Sequence, residues 1–201
     1  MKSPKKILIA NRGVIAIRAL RAAKELGYQV ASVYSTIDKD QKHLKLSDEA
    51  ICIGPAAAKD SYLNEAAIIS AAELVSADAI YPGYGFLAEN SSFAEKCNQS
   101  GFKFVGPDPK VIAIMGDKIK AKELVESLGV PIVPGYTGRI EFKEQVEKIT
   151  DDIGYPVIVK ASAGGGGKGM RVVLEKEEVW DSVVSAQNEA RLAFGNDEVF
   201  I

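Results

Sequence analysis

The sequence predicts an α/β fold built on a mostly parallel sheet and followed by a smaller, glycine-marked region. Three observations carry that prediction. Short apolar or β-branched runs alternate with Ala-, Leu- and Glu-rich runs through roughly the first hundred residues. The stretches between the strand-like runs are long enough for crossover helices, which parallel neighbours need and hairpins do not. Beyond residue 150, four consecutive glycines stand between two further strand-like runs.

Taken in order, Lys6–Ala10 reads as a strand, and Val14–Leu26 as an Ala/Arg/Leu-rich helix stopped by Gly27. Gln29–Ser35 is a second strand, leading into a polar connection through Asp38 and Asp40. Its histidine, His43, is the only one in the chain and reads as a surface residue. Ala50–Ile53 gives a third strand and Glu65–Val75 a helix. Ala79–Tyr81 is a strand halted by Pro82, Ser92–Gln99 a helix, and Lys103–Val105 the last strand before Gly106-Pro107. Residues 108–129 carry a helical pattern, with Asp117 as an N-cap and Gly129 and Pro131 as the stop. Tyr155–Lys160 reads as a buried strand and Met170–Leu174 as another.

The connection between those last two strands is the most specific local signal. Four glycines lose more backbone entropy on folding than any other tetrapeptide, so a passive hairpin is a poor account of Gly164–Gly167. Lys160 closes the first strand and Lys168 lies in the loop. Bare amides and ammonium groups together suit phosphate oxygens. A Walker loop is excluded because Lys168 is followed by Gly169 rather than Ser or Thr. Gly164, Gly166 and Gly169 match G-x-G-x-x-G, but that motif should open a helix, and a strand follows here. A strand-loop-strand flap over a nucleotide triphosphate agrees better with the context.

Composition sets wider limits. An apolar content of 47% and a charged content of 26% describe a globular chain, and a formal charge of −2 offers nothing to a polyanion, so no nucleic-acid partner is expected. Cys52 and Cys97 show no C-x-x-C spacing, which predicts neither a disulfide framework nor a zinc site and points to a reducing cytoplasm. No run approaches the roughly 18 apolar residues of a membrane span, and no export signal is evident.

In parallel sheets, ligands gather at the carboxyl ends of the strands. Asn11-Arg12-Gly13 lies at the end of the first strand and opens a helix, where it serves either as a tight turn or as a site contact. Tyr81-Pro-Gly-Tyr84-Gly85-Phe86-Leu-Ala-Glu-Asn90 lies at the end of the fourth, with two glycines flanking a tyrosine.

Read together, Ile9–Gly13, Tyr81–Asn90, Phe104-Val-Gly-Pro107, Met115-Gly-Asp-Lys118, Gly154–Lys160 and the glycine flap come in the order seen in biotin carboxylases. The chain resembles that family over essentially all of its length. The resemblance implies a Rossmann-like N-terminal domain at residues 1–113. It implies the beginning of an ATP-grasp domain at 114–201, with the lid subdomain from about 131 onward. Lys118 and Lys160 then resemble ligands of the nucleotide phosphates. Gly165, Gly166 and Gly167, with Met170, look like the lid over ATP, and Tyr84 and Gly85 like the wall of the biotin pocket.

The implied chemistry is ATP-dependent carboxylation of biotin by bicarbonate through carboxyphosphate. ATP, Mg2+ or Mn2+, and biotin on its carrier protein are the expected cofactors and substrates. Expected partners are the biotin carboxyl carrier protein and the carboxyltransferase, within a cytoplasmic homodimer. Because the chain opens almost directly on the first strand, the separate subunit of acetyl-CoA carboxylase, serving fatty acid synthesis, is favoured. The pyruvate and propionyl-CoA carboxylases, another ATP-grasp ligase or a non-catalytic module are the alternatives.

Three positions depart from the family pattern: Val14 in place of glutamate, Ala163 in place of a first glycine, and Tyr81 in place of histidine. The residues that hold metal and activate the nucleophile are expected beyond Ile201, so no catalytic or metal-binding residue is assigned within 1–201. The chain is read as the amino-terminal part of a longer enzyme.

Overall fold

A computed structural model describes residues 5–136, 138–161 and 170–201, apart from the side chains of residues 118, 119 and 194. The chain divides into two compact units, residues 1–121 and 122–201.

The first unit runs β1 (Lys6–Ile9), α1 (Gly13–Glu25), β2 (Gln29–Tyr34), α2 (Lys42–Leu46), β3 (Glu49–Cys52), α3 (Glu65–Leu74), β4 (Ala79–Tyr81), α4 (Ser91–Gln99), β5 (Lys103–Phe104) and α5 (Pro109–Gly116). Its five strands pair in parallel in the order β3-β2-β1-β4-β5. The order reverses direction between β1 and β4, so the connections that follow these two strands flank the switch point where doubly wound sheets bind ligands.

Strand alternation divides the core. Leu8, Ala31, Val33, Ile80 and Phe104 face α3 and α4, where they meet Ile68, Phe93 and Cys97. Ile9 and Val30 face the opposite way, onto Ala16, Leu20 and Ala23 of α1. That spacing of four and three residues is one helix face. Complete burial of Leu8, Ile80 and Phe93 stabilises the unit by about 2–3 kcal/mol each. Asn64 and Asn90 cap α3 and α4 by accepting from the amides of Ala67 and Phe93, and Asp108 caps α5.

The helical stretch expected over 108–129 forms two helices that meet at Asp117, the expected N-cap. That residue ends α5 and caps α6 (Lys118–Ser127), its carboxylate accepting from the Lys120 amide at 3.1 Å. His43, expected at the surface, is instead fully buried on the short helix α2, its Nε2 3.4 Å from the Val33 carbonyl. The polar residues around it conceal a helix that folds inward over β2.

The second unit contains α7 (Lys143–Ile153), β6 (Val157–Ala161), β7 (Met170–Val173), α8 (Val179–Phe194) and β8 (Val199–Phe200). β7 and β8 both pair antiparallel to β6, in the order β7-β6-β8. Val157, Val159, Val173 and Val199 form a core with Val146 of α7 and with Val179, Val183 and Ala186 of α8. The helices therefore cover one face only. β6, expected to be wholly buried, alternates between buried valines and the outward-facing Ile158 and Lys160. A three-stranded antiparallel sheet backed on one side leaves its other side open.

Candidate functional site

That open face holds the first part of the site. Register places Ile158 opposite Val172 and Lys160 opposite Met170, and cross-strand partners project from the same face. Ile158, Val172 and Met170 are 40%, 60% and 48% exposed, so an apolar platform stands where a solvated sheet would carry polar side chains. Lys160 is half-buried among them and also pairs with Phe200 across to β8.

A cavity of about 490 Å³ adjoins this face, lined by Lys122, Val133, Ile158, Lys160, Phe200 and Ile201 among others. Beside it two chain segments are joined by backbone: the Tyr136 amide donates to the Ile201 carbonyl at 2.7 Å, and the Ile201 amide donates back at 3.0 Å. Gly135 makes this approach possible. A Cβ there would lie 2.6 Å from the Ile201 oxygen and 2.8 Å from Lys122 Nζ. An apolar floor with two amines at its edge can take a flat ring by stacking and an anionic tail by charge.

The first unit builds its site at the carboxyl ends of its strands. Asn11, fully buried, donates from Nδ2 to the carbonyls of Pro82 (2.8 Å) and Tyr84 (3.0 Å), tying the β1–α1 turn to the β4–α4 loop. Gly83 passes so close that a Cβ would meet Ile15 Cγ2 at 2.6 Å and Asn11 Nδ2 at 3.0 Å. The guanidinium of Arg12 lies 5.3 Å from the Tyr62 ring centre and 5.7 Å from that of Phe86, and the two rings stack at 4.9 Å. Phe86 holds a left-handed φ of +43°, which costs a bulky residue about 1–2 kcal/mol. Tyr84 stands 70% exposed at the crest of the loop.

Asp38 anchors this cluster. Its Oδ2 accepts from Ser35 Oγ and Tyr62 Oη at 2.8 Å and from Arg12 at 3.1 Å. Burial pushes the carboxyl upward, but those hydrogen bonds and the Arg12 charge outweigh it and hold its pKa below the ordinary value. The Tyr62 phenol, buried and bonded to a carboxylate, is pushed up to about 12 and stays a donor. Burial, and then the field of Glu65, push the Cys97 thiol to about 12, which excludes it as a nucleophile.

Comparison with known proteins decides the family. Residues 3–112 match the model of the biotin carboxylase N-terminal domain, and residues 117–201 match that of the carbamoyl-phosphate synthase L chain ATP-binding domain. Biotin carboxylase 1 of Bacillus subtilis is 54% identical over 98% of this chain and 44% of its own length. The chain belongs to the biotin carboxylase family.

Two solved structures extend the match. A biotin carboxylase complex with β-γ-ATP from Campylobacter jejuni superposes with a TM-score of 0.86 at 50% identity, over 98% of this chain and 44% of that one. The biotin carboxylase domain dimer of Hydrogenobacter thermophilus 2-oxoglutarate carboxylase, in complex with MgADP, ADP and bicarbonate, gives 0.83 at 47%, over 100% of this chain and 44% of that one. The chain thus spans less than half the length of these biotin carboxylases, and its second unit is the start of an ATP-grasp domain.

Of the residues marked for nucleotide, Lys160 and Met170 face each other across β6 and β7 in the second unit. Lys118 opens α6 in the first unit, and its side chain lies outside the described residues, as do Gly165, Gly166 and Gly167. Tyr84 and Gly85 sit on the β4–α4 loop. Val14 is 79% exposed on the first turn of α1. Sequence reasoning missed Ile158 and Lys122, which line the cavity, and Val172, which stands opposite Ile158 on the open face. It also missed Asp38 and Tyr62, which are 24 residues apart and share no local pattern. Among the described residues, no group of three or more His, Cys, Asp or Glu side chains is placed to hold a metal ion.

Proposed function

We propose that this chain supplies the N-terminal domain, residues 1–113, and the first part of the ATP-grasp domain, residues 114–201, of a biotin carboxylase. In that reaction a bicarbonate oxygen attacks the γ-phosphorus of ATP and ADP departs. The resulting carboxyphosphate splits into CO₂ and phosphate; the CO₂ bonds to the ureido N1 of biotin carried on its carrier protein as the N1 proton passes to the phosphate. The observation that supports this reading is the open face of the small sheet, with its apolar platform, its single strand lysine and the adjoining cavity.

On this reading Ile158 and Met170 pack against the nucleotide, and Lys160 and Lys118 neutralise its phosphates. Gly165, Gly166 and Gly167 cover it, and Tyr84 and Gly85 form a wall for biotin. Phosphoryl transfer depends mostly on positioning and charge neutralisation. Divalent metal would add to that neutralisation.

Within the family, we assign the chain to acetyl-CoA carboxylase, with the carrier protein and carboxyltransferase as partners, in a cytoplasmic homodimer serving fatty acid synthesis. The higher identity to a relative named simply biotin carboxylase than to the 2-oxoglutarate carboxylase domain supports that choice. No described helix is long and apolar enough to cross a membrane.

The test is biotin- and bicarbonate-dependent phosphate release by a biotin carboxylase of the relatives' full length that begins with this sequence. Lys160→Ala should lower turnover by at least about 10²-fold, by removing a cation from developing phosphate charge. The melting temperature should move by no more than a few degrees. Wild-type turnover in this variant would refute Lys160 as a phosphate ligand.

A further inference from the structure

Asn11 and Arg12 are consecutive, yet they grip the β4–α4 loop from two directions. Asn11 holds its ascending limb through the carbonyls of Pro82 and Tyr84. Arg12 lies over Phe86, the residue that follows Gly85 and carries the left-handed φ. The grip has a foundation, since Asp38 fixes the guanidinium and is itself fixed by Ser35 and Tyr62. Tyr62 in turn stacks on Phe86 and closes the ring of contacts. Residues following β1, β2, β3 and β4 therefore converge on one short segment, Tyr84-Gly85-Phe86. Tyr84, Gly85 and Arg12 are exposed, whereas Asn11, Ser35, Asp38 and Tyr62, which hold them from beneath, are buried. A rigid support beneath an exposed two-residue crest is how a binding surface is kept in shape.

We infer that Arg12 is a positioning residue for biotin: braced by Asp38, it sets the conformation of the Tyr84-Gly85 wall without touching the substrate. The biotin half of this inference rests on the reading of Tyr84 and Gly85 proposed above. A plain surface ion pair would not need the two rings, and a plain turn would not need the carboxylate. The arrangement uses both.

Two measurements separate the clamp from the substrate it serves. In the 201-residue chain, Arg12→Ala should speed hydrogen exchange at least tenfold at the Ala88 and Asn90 amides, which bond to the Gly85 and Leu87 carbonyls at 2.9 and 3.2 Å. The Ala10 amide, bonded to Tyr81 in the sheet, should change less than twofold. Phe86→Leu should reproduce the effect and Phe86→Tyr, which keeps the ring, should not. The Leu variant decides the matter if Arg12→Ala does not fold. In the full-length enzyme, Arg12→Ala should raise KM for free biotin about tenfold and leave KM for ATP within twofold. Unchanged exchange at Ala88 and Asn90 would overturn the clamp. Faster exchange with an unchanged biotin KM would leave the clamp standing and overturn the biotin reading of Tyr84 and Gly85.

Discussion

At the scale of single residues, chemistry legible in the sequence and chemistry hidden from it lie side by side. Lys160 stood out because it ends a β-branched run against a glycine tract, whereas Ile158, two residues earlier, looked like ordinary core. Only the one-sided backing of the sheet turns Ile158 outward. His43 shows the opposite error. Its polar neighbours suggested the surface, but it is fully buried with Nδ1 lacking a hydrogen-bond partner among the described residues. Burial lowers its pKa below 6.5, against smaller opposing effects of the Val33 carbonyl and Asp38. The unfolded chain therefore binds its proton at a higher pH than the folded chain does. Stability should be fully present above about pH 6.5 and fall as the pH drops below it, by at most about 1.4 kcal/mol per pH unit for one group. Urea midpoints between pH 7.5 and 5.5 should show this slope, and His43→Leu should flatten it. An equal slope in both proteins would assign the acid sensitivity elsewhere.

At the scale of elements, β6 and β7 are the two strands that the sequence implied on either side of the glycine tract, and their antiparallel register brings Lys160 opposite Met170. The flap joining them lies outside the described residues, so the case for it remains one of composition. Replacing Gly166 and Gly167 with valine adds Cβ atoms that oppose positive φ and close backbone approach to phosphate. Nucleotide affinity measured by calorimetry should fall, while the far-ultraviolet signature of the N-terminal sheet should persist. Unchanged affinity would make the loop a connector. Two helices besides α2 escape the sequence pattern. α7 presents few apolar residues, and α8 builds its buried stripe from Val179, Val183, Ala186 and Ala190, in which β-branched residues mask a spacing of four, three and four.

At the scale of the whole molecule, a cavity with one apolar floor and two amines leaves most polar groups of a nucleotide facing solvent, which limits affinity. The 201-residue chain alone should bind ATP only weakly, with a Kd of millimolar order, and release no phosphate in response to biotin and bicarbonate. Biotin-stimulated turnover by this chain would show that these residues suffice. The sequence by itself determined the parallel sheet, because alternation of strand and crossover helix leaves little other choice, and it carried the ordered motifs of the family. The tertiary structure alone decided which face of β6 is open, where His43 goes, and that Arg12, Asp38, Tyr62 and Phe86 meet. Local pattern records which side of an element is apolar, but not which partner covers it. Contacts between residues dozens of positions apart arise only when the sheet order brings the strand ends together.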